Sequence, residues 1–592
     1  LSHERRRSIE QGDSLAELAQ QLVRRPAPLR IAGLRGAARA AVIAQLVRAH
    51  GTRPVLVVVP TAKEGDALLE DLRATLGEKA DEGRLRAFPR YDTQPYERFS
   101  PQPFLVAQRM DVLYRWLASP KNGATNGSGA RGEAAPVVVA PWTALAARVP
   151  TREFVRGKSV HLEVGRIVDR DALVATLVAA GYARMPLVEE RGELAVRGGI
   201  LDLYPPQRPL PVRVELLGDE VESIREFDPA SQRSQAPLPY VVAPPPRELL
   251  VERSLVLERQ ESLRVLAEEQ GVPAREVDAL VDTLLRGSVP PGGEALAPLL
   301  LRGMETVFDF LPEDALVVVD DLGAGRARLL RYAEDAHANY ELARESGRLV
   351  AAPDALALSP QALEQALLAR APLLLERLDA LHADGIQTQR IHSESQDELR
   401  RALAKARSGA QALAPLCERI AAWTEARYRV VLATPSLSHA ERLKALLAEY
   451  KIDTRATADP RAVWRWSSPG RVEVRATPLS EGFTLPLEKL AVVTEEEIFG
   501  PREKTRRKSQ AWPAGAAIDA LAQLSPGDYL VHAEHGIGIY RGLVDLELRG
   551  VAGEFLRIEY AEEARLFVPV HRLNLVQRYA GSDGQVPRID KL

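Results

Sequence analysis

The residues whose types and spacing could do chemistry come first at Gly33–Ala40, GLRGAARA, between an aliphatic run at Leu29–Ala32 and the helix-forming AAVIAQLVRAHG. A phosphate loop in that strand–loop–helix setting needs glycine at both ends, a lysine for the β and γ phosphates and a serine or threonine for magnesium. Here Ala38 stands where the second glycine belongs, Arg39 replaces the lysine and Ala40 the hydroxyl. With Gly33 at its start, the segment has the shell of a P-loop without its chemistry. Gly157-Lys158-Ser159 also invites a phosphate reading, but Arg152 occupies the position that needs glycine and strands are expected to follow. Asp320-Asp321 ends the buried run Ala315–Val319 as a magnesium-binding pair would. Such carboxylates hold the metal only when a phosphate is bound nearby, so a solvated, acid-capped strand end is the plainer expectation. His532 and His535 suggest a metal, yet no cysteine is near them and Gly536 and Gly538 follow, which reads as a turn.

These residues need a frame. The Leu29–Ala32 strand, its helix and PVLVVVP ending at Pro60 form a βαβ unit. A helix over Ala67–Leu76 and a strand over Ala135–Val139 continue the rhythm, interrupted by a Gly-, Asn- and Ser-rich loop at Asn122–Gly132. After Pro150 the texture changes to strands in REFVRGKSVHLEVG, a helix over Asp169–Ala180, then more strands with a hairpin turn at Gly218-Asp219. Helical segments return from Pro244, and α/β texture runs to about Gly500. PREKTRRKSQ reads as a basic linker, and from Leu524 to Tyr579 five short strands with Gly-containing turns predict a small barrel.

The 592 residues suggest roughly four domains. A hydrophobic content of 46% and a charged content of 27% suit ordinary globular cores. Lys plus Arg number 78 against 81 Asp plus Glu, so bulk charge does not make the chain a polyanion binder. The single cysteine, Cys417, excludes an internal disulfide framework and fits a reducing compartment, read as the cytoplasm. No apolar run approaches the length that spans a bilayer, so no membrane partner is expected.

VEERGELAVRGGILDLYPP followed by VRVELLGDEVESIREFDPASQRS closely resembles the second domain shared by the excision-repair protein UvrB and the transcription-repair coupling factors. FPRYDTQPYERFSPQPFLVAQRMDVLYRW, residues 88–116, is similar to the coupling factors, since the UvrB P-loop and long DNA-clamping hairpin have no counterpart. LSPGDYLVHAEHGIGIYRGLVDLELRGVAGEFLRIEYAEEARLFVPVHRLNLVQRY resembles their RNA polymerase-interacting domain, shared with CarD-type regulators. The resemblance implies an α/β multi-domain protein: a degenerate P-loop NTPase-like (UvrB-like) domain with an inserted α+β domain, a further α/β domain and a C-terminal small all-β (Tudor/CarD-like) barrel. The expected boundaries are 1–148 and 237–334 for the two parts of the degenerate nucleotide fold, with 149–236 between them as the UvrA-binding domain. An α/β domain follows at 335–500, a basic linker at 501–520, the barrel at 521–580 and, at 581–592, the start of a connection to an ATP-driven motor.

The resemblance further implies UvrA and the RNA polymerase β subunit as partners, with DNA contacts mainly through the motor. Arg197 and Tyr204 fall where the family contacts UvrA, with Arg184 and Arg191 nearby; an arginine beside an aromatic ring makes a typical interface hot spot. The alternative is that Tyr204 is core and Arg197 a solvated charge. Leu546, flanked by Val544, Asp545, Glu547 and Leu548, aligns with the residue pressed onto polymerase by strand addition; the alternative is that Val544, Leu546 and Leu548 are barrel core. No cofactor and no catalysis are expected of this chain, ATP and magnesium belonging to the motor, which the chain is expected to lack. The rival functions are a UvrB-like ATP-dependent repair subunit and a free-standing CarD-type regulator.

Overall fold

The computed structural model describes residues 15–23, 28–77, 84–119, 135–377, 385–406, 412–459, 463–500, 527–532, 536–548, 551–561, 564–569 and 576–578. The Asn122–Gly132 loop, the basic linker and the terminal 581–592 stretch lie outside them, as does His535.

Aliphatic runs between residues 29 and 376, with the polar Gln387–Arg390, assemble into one seven-stranded parallel sheet. Its spatial order is Gln387–Arg390, Leu29–Ala32, Leu373–Glu376, Leu316–Asp320, Val55–Val59, Val137–Pro141 and Leu85–Ala87. Val55–Val59 and Leu316–Asp320 are buried at every position, as strands covered on both faces must be. Thr61 caps the following Ala62–Leu76 helix by accepting from the Glu64 N–H. The sheet corrects the expected boundaries, because Leu373–Glu376 and Gln387–Arg390 flank the Leu29–Ala32 strand and do not join a unit spanning 335–500. Strand partners are chosen by packing at long range, which periodicity does not report.

A second sheet, of five strands, is ordered Thr454–Thr457, Val472–Ala476, Arg429–Thr434, Leu490–Thr494 and Phe483–Leu485, the last pair antiparallel. The Ala38–His50 helix lies between the two sheets and is buried nearly all round, and one core holds Val42, Ile43 and Leu46 together with Val431, Phe483 and Val492. Its many alanines let both sheets approach closely.

The inserted unit carries a six-stranded sheet from Ala183–Arg184 to Ser234–Pro237, with the expected hairpin at Gly218-Asp219. Asp169 caps its Arg170–Ala179 helix. Residues expected to open this unit as a strand instead form the Arg152–Gly157 helix, because Thr151 accepts from the Phe154 N–H and starts a turn. The C-terminal unit is a five-stranded antiparallel sheet, and its 13-residue strand Gly536–Leu548 is far from short. Among the described residues its outer strands, Arg565–Pro569 and Val576–Arg578, are not paired with each other, and the strands run in an open order. Phe99, from the 88–116 segment, packs against this sheet's core.

That segment is organised by one buried charge. The Arg109 guanidinium is fully enclosed, donates from Nε to Glu248 Oε1 at 2.6 Å, and lies 4.3 Å from the Phe88 ring centroid and 4.4 Å from that of Tyr91. The Tyr91 hydroxyl donates to the other Glu248 oxygen at 2.5 Å. Removing the carboxylate leaves the arginine buried and unpaired. Glu248→Ala is therefore expected to destabilise the first unit by about 3–5 kcal/mol, read as a lowered urea midpoint, and an unchanged midpoint would refute the role of this pair.

Candidate functional site

The Gly33–Ala40 loop closes against other segments of the same chain. Gly33 and Gly36 both have positive φ, 90° and 53°, which glycine adopts without strain. Four of the loop's N–H groups have acceptors within the protein. Leu34 donates to Glu376 O, Arg35 to Ser393 Oγ at 2.7 Å, Ala37 to Glu481 O at 3.4 Å and Ala38 to Arg35 O at 3.1 Å. The Ser393 hydroxyl in turn donates to Gly33 O at 2.7 Å.

Arg39 is 7% exposed and donates from Nη1 to Asp320 Oδ2 at 2.5 Å. Burial pushes the Asp320 carboxyl up, and the arginine pulls it back down. Asp320 is thus buried and spoken for, which corrects the expectation of a solvated strand end. Asp321 serves as the cap of the Leu322–Glu345 helix, accepting from the Ala324 N–H. No group of three or more His, Cys, Asp or Glu side chains is gathered as a metal site among the described residues. Lys158 of the second candidate tripeptide pairs with Glu252 at 2.6 Å, and a strand, Val160–Glu163, follows it.

Beside the loop lies Asp71, fully buried on the Ala62–Leu76 helix. It accepts from the Ser480 N–H at 2.8 Å and the Ser480 hydroxyl at 2.7 Å. Burial lifts its carboxyl to about 6, the Ser480 bonds and Arg39 oppose the shift, and Glu481 adds to it. The sequence reading missed Asp71, and nothing in its helix pattern marks it.

In the inserted unit the candidate residues separate. Tyr204 is corrected from an interface anchor to a core residue: it packs with Val188, Ala195 and Phe227, and its hydroxyl donates to Pro209 O at 2.7 Å. Arg191 donates to Arg208 O and its guanidinium lies 5.4 Å from the Tyr204 ring centroid, so it fastens the same corner. Arg184 is exposed on a short edge strand. Arg197 is 46% exposed and donates to Asp202 Oδ2 at 2.6 Å, while Arg213 holds the other oxygen of that buried carboxylate at 2.7 Å. A feature not foreseen is a pair of exposed apolar side chains, Ile167 and Leu217, 78% and 69% exposed, which lie on either side of Glu220, Leu217 through the strand pairing and Ile167 through an isolated bridge. Residues paired directly across strands share a face.

In the C-terminal sheet, Val544 pairs with Phe555, Asp545 with Glu554, Leu546 with Gly553, Glu547 with Ala552 and Leu548 with Val551. Within the Gly536–Leu548 strand, the neighbouring Tyr529–His532 pairs with residues 536–539. Among the described residues, the other edge of 543–548 has no partner strand.

Comparison with known proteins gives first a class of modules. Residues 160–248 match the UvrB interaction domain, 424–498 the MFD D3 domain and 524–580 the CarD-like/TRCF RID domain. Whole-chain relatives then carry one name. The chain is 33% identical to the transcription-repair-coupling factor of Myxococcus xanthus and 28% identical to that of Bacillus subtilis strain 168, each over 95% of this chain and 46% of the relative. It is 28% identical to that of Escherichia coli K12, over 94% of this chain and 46% of the relative. The chain thus spans about half the length of the curated relatives it matches.

The Asp71 carboxyl sets a pH dependence. Its pKa rises from 3.8 unfolded to about 6 folded, so between these values the native state binds more protons. Stability attributable to this group is fully present below about pH 4 and is lost as pH rises through about 6. Asp71→Asn is expected to flatten that part of the pH–stability curve, measured by urea denaturation at stepped pH; an unchanged slope would refute the assignment.

Proposed function

We propose that this chain acts in transcription-coupled nucleotide excision repair, as the recognition portion of a coupling factor that joins RNA polymerase stalled at damage to UvrA. The observation that carries the reading is the order of modules along one chain: the UvrB interaction domain, the MFD D3 domain and the RNA polymerase-interacting domain, inside a similarity covering 95% of the chain. We assign this chain recognition without catalysis, and we assign ATP-driven displacement of polymerase, with its magnesium and DNA contacts, to the motor of a full-length relative. The working compartment is the bacterial cytoplasm, which suits a free, half-buried Cys417.

The UvrA-facing surface centres on Arg197 and the exposed Ile167–Leu217 pair, with Arg184 at its margin. Exposed aliphatic side chains and an exposed arginine supply apolar burial and directed hydrogen bonds, and arginine is enriched among hot-spot residues. Tyr204 supports that surface from below. Polymerase adds a strand to the free edge of 543–548, where main-chain bonds give affinity and Leu546 gives register.

Binding to purified UvrA, measured by calorimetry, is expected to weaken by roughly 1–3 kcal/mol on Arg197→Ala or Leu217→Ser with the melting temperature unchanged. Tyr204→Ala should instead unfold the inserted unit, at a cost of about 3–5 kcal/mol. Unaltered affinity in both surface variants would place the UvrA contact elsewhere.

For the polymerase side, a pull-down of the β subunit by the whole chain is the test. Leu546→Arg sets a charge at a contact that excludes water, so capture should be lost. Retained capture by the folded variant sinks the edge-strand assignment.

A further inference from the structure

The residues around the degenerate phosphate loop have acquired an internal occupant. A Cβ built on Gly36 would come within 3.3 Å of Glu481 Cβ and would collide with the Gly482 carbonyl oxygen. The Glu481 carbonyl accepts from the Ala37 N–H. A Cβ on Gly33 would lie 2.7 Å from the Ile391 carbonyl oxygen. The chain therefore brings carbonyl oxygens from 391 and from 481–482 against the loop. They have the polarity of phosphate oxygens and need the same close backbone approach that glycine permits.

The second half of a nucleotide site has been replaced in kind. Magnesium would neutralise the strand-end carboxylate; here the Arg39 guanidinium does so from inside the protein, at 2.5 Å from Asp320. The occupying turn is itself anchored twice. Ser480 is held by Asp71, and the buried Gly482 donates to Glu497 Oε1 at 2.9 Å. Glu497 also caps its own helix by accepting from the Thr494 N–H at 2.8 Å. The turn joins two strands of the second sheet, Val472–Ala476 and Phe483–Leu485.

We propose that the phosphate loop has been converted into a receptor for the 480–482 turn of the second sheet. The two α/β units are thereby locked together at this joint, with no nucleotide required. Two features follow from this assignment. The units behave as one body, and the loop has no room for a phosphate. The proposal is independent of the partners assigned above, since it concerns a joint that neither proposed surface touches.

Hydrogen exchange read by mass spectrometry on the whole chain tests the lock. The variant is Gly482→Ala, whose new Cβ would meet the Val492 carbonyl oxygen at 2.5 Å and the Glu497 carboxylate still closer. Dislodging the turn should speed exchange about tenfold in 479–485 and, by the same factor, in 33–38, because the same opening frees both partners. Should Gly482→Ala not fold, Ser480→Ala, which removes only the hydroxyl bond to Asp71, is read for the same paired rise. A rise confined to 479–485 in the folded variant overturns the proposal. So does saturable binding of ATP with magnesium to the unmodified chain by calorimetry, since a filled receptor gives a flat titration.

Discussion

The structure depends on one helix having almost no free face. Ala38–His50 is buried at eleven of its thirteen positions, against the Leu15–Leu22 and Ala62–Leu76 helices and in a core shared by strands of both sheets. A helix buried nearly all round must be covered by protein, and the loop at its N-terminus closes against protein as well. In a nucleotide-binding relative of such a fold that end would open to solvent and to phosphate. Here the burial of Val42, Ile43 and Leu46 in a shared core requires the second sheet to sit where it does, and its 480–482 turn reaches the loop as a geometric consequence. Fusion of the units and closure of the loop are two expressions of the same packing.

Burying that much chain also buries charge, and the same device recurs. Arg39–Asp320, Arg109–Glu248 and Arg213–Asp202 each place a guanidinium on a carboxylate at 2.5–2.7 Å inside a core or at its margin. Arginine suits the task because its planar donors can hold a carboxylate at fixed orientation and it resists deprotonation. Such pairs add little over an apolar substitute, yet each is costly to break one-sidedly. They therefore act as registration pins: Arg109 fixes the 88–116 segment to Glu248 across 139 residues of sequence, and Arg39 fixes the loop's helix to a strand 281 residues away.

Much of this was legible in the sequence because it is local. The βαβ opening and the Gly218-Asp219 hairpin each follow from a short run of residue types. Partnering was not legible. LLLE at 373–376 and QTQR at 387–390 join the first sheet because Leu29–Ala32 offers them two free edges, and nothing within those tetrapeptides says so. Tyr204 was misplaced for a related reason: its alternation within DLYPP fits either face, and only the packing of Val188 and Phe227 selects the inner one. Ile167 and Leu217 escaped attention because apolar residues in strands are ordinarily assigned to cores, and exposure is decided by which neighbours the sheet lacks.

The two proposed contact surfaces have a physical reason to act independently. The Ile167–Leu217 pair belongs to a unit whose core is built from residues such as Leu177, Leu203 and Val214, whereas the free edge at 543–548 belongs to a sheet with its own core around Leu530, Leu556 and Ile558. Groups with no shared partners respond to substitution nearly additively. A change on one surface then leaves the affinity of the other intact, which is what an adaptor that must engage two proteins at once requires. The proposed lock between the α/β units would add stiffness between them, since it rests on internal carbonyls and on the Arg39–Asp320 pair.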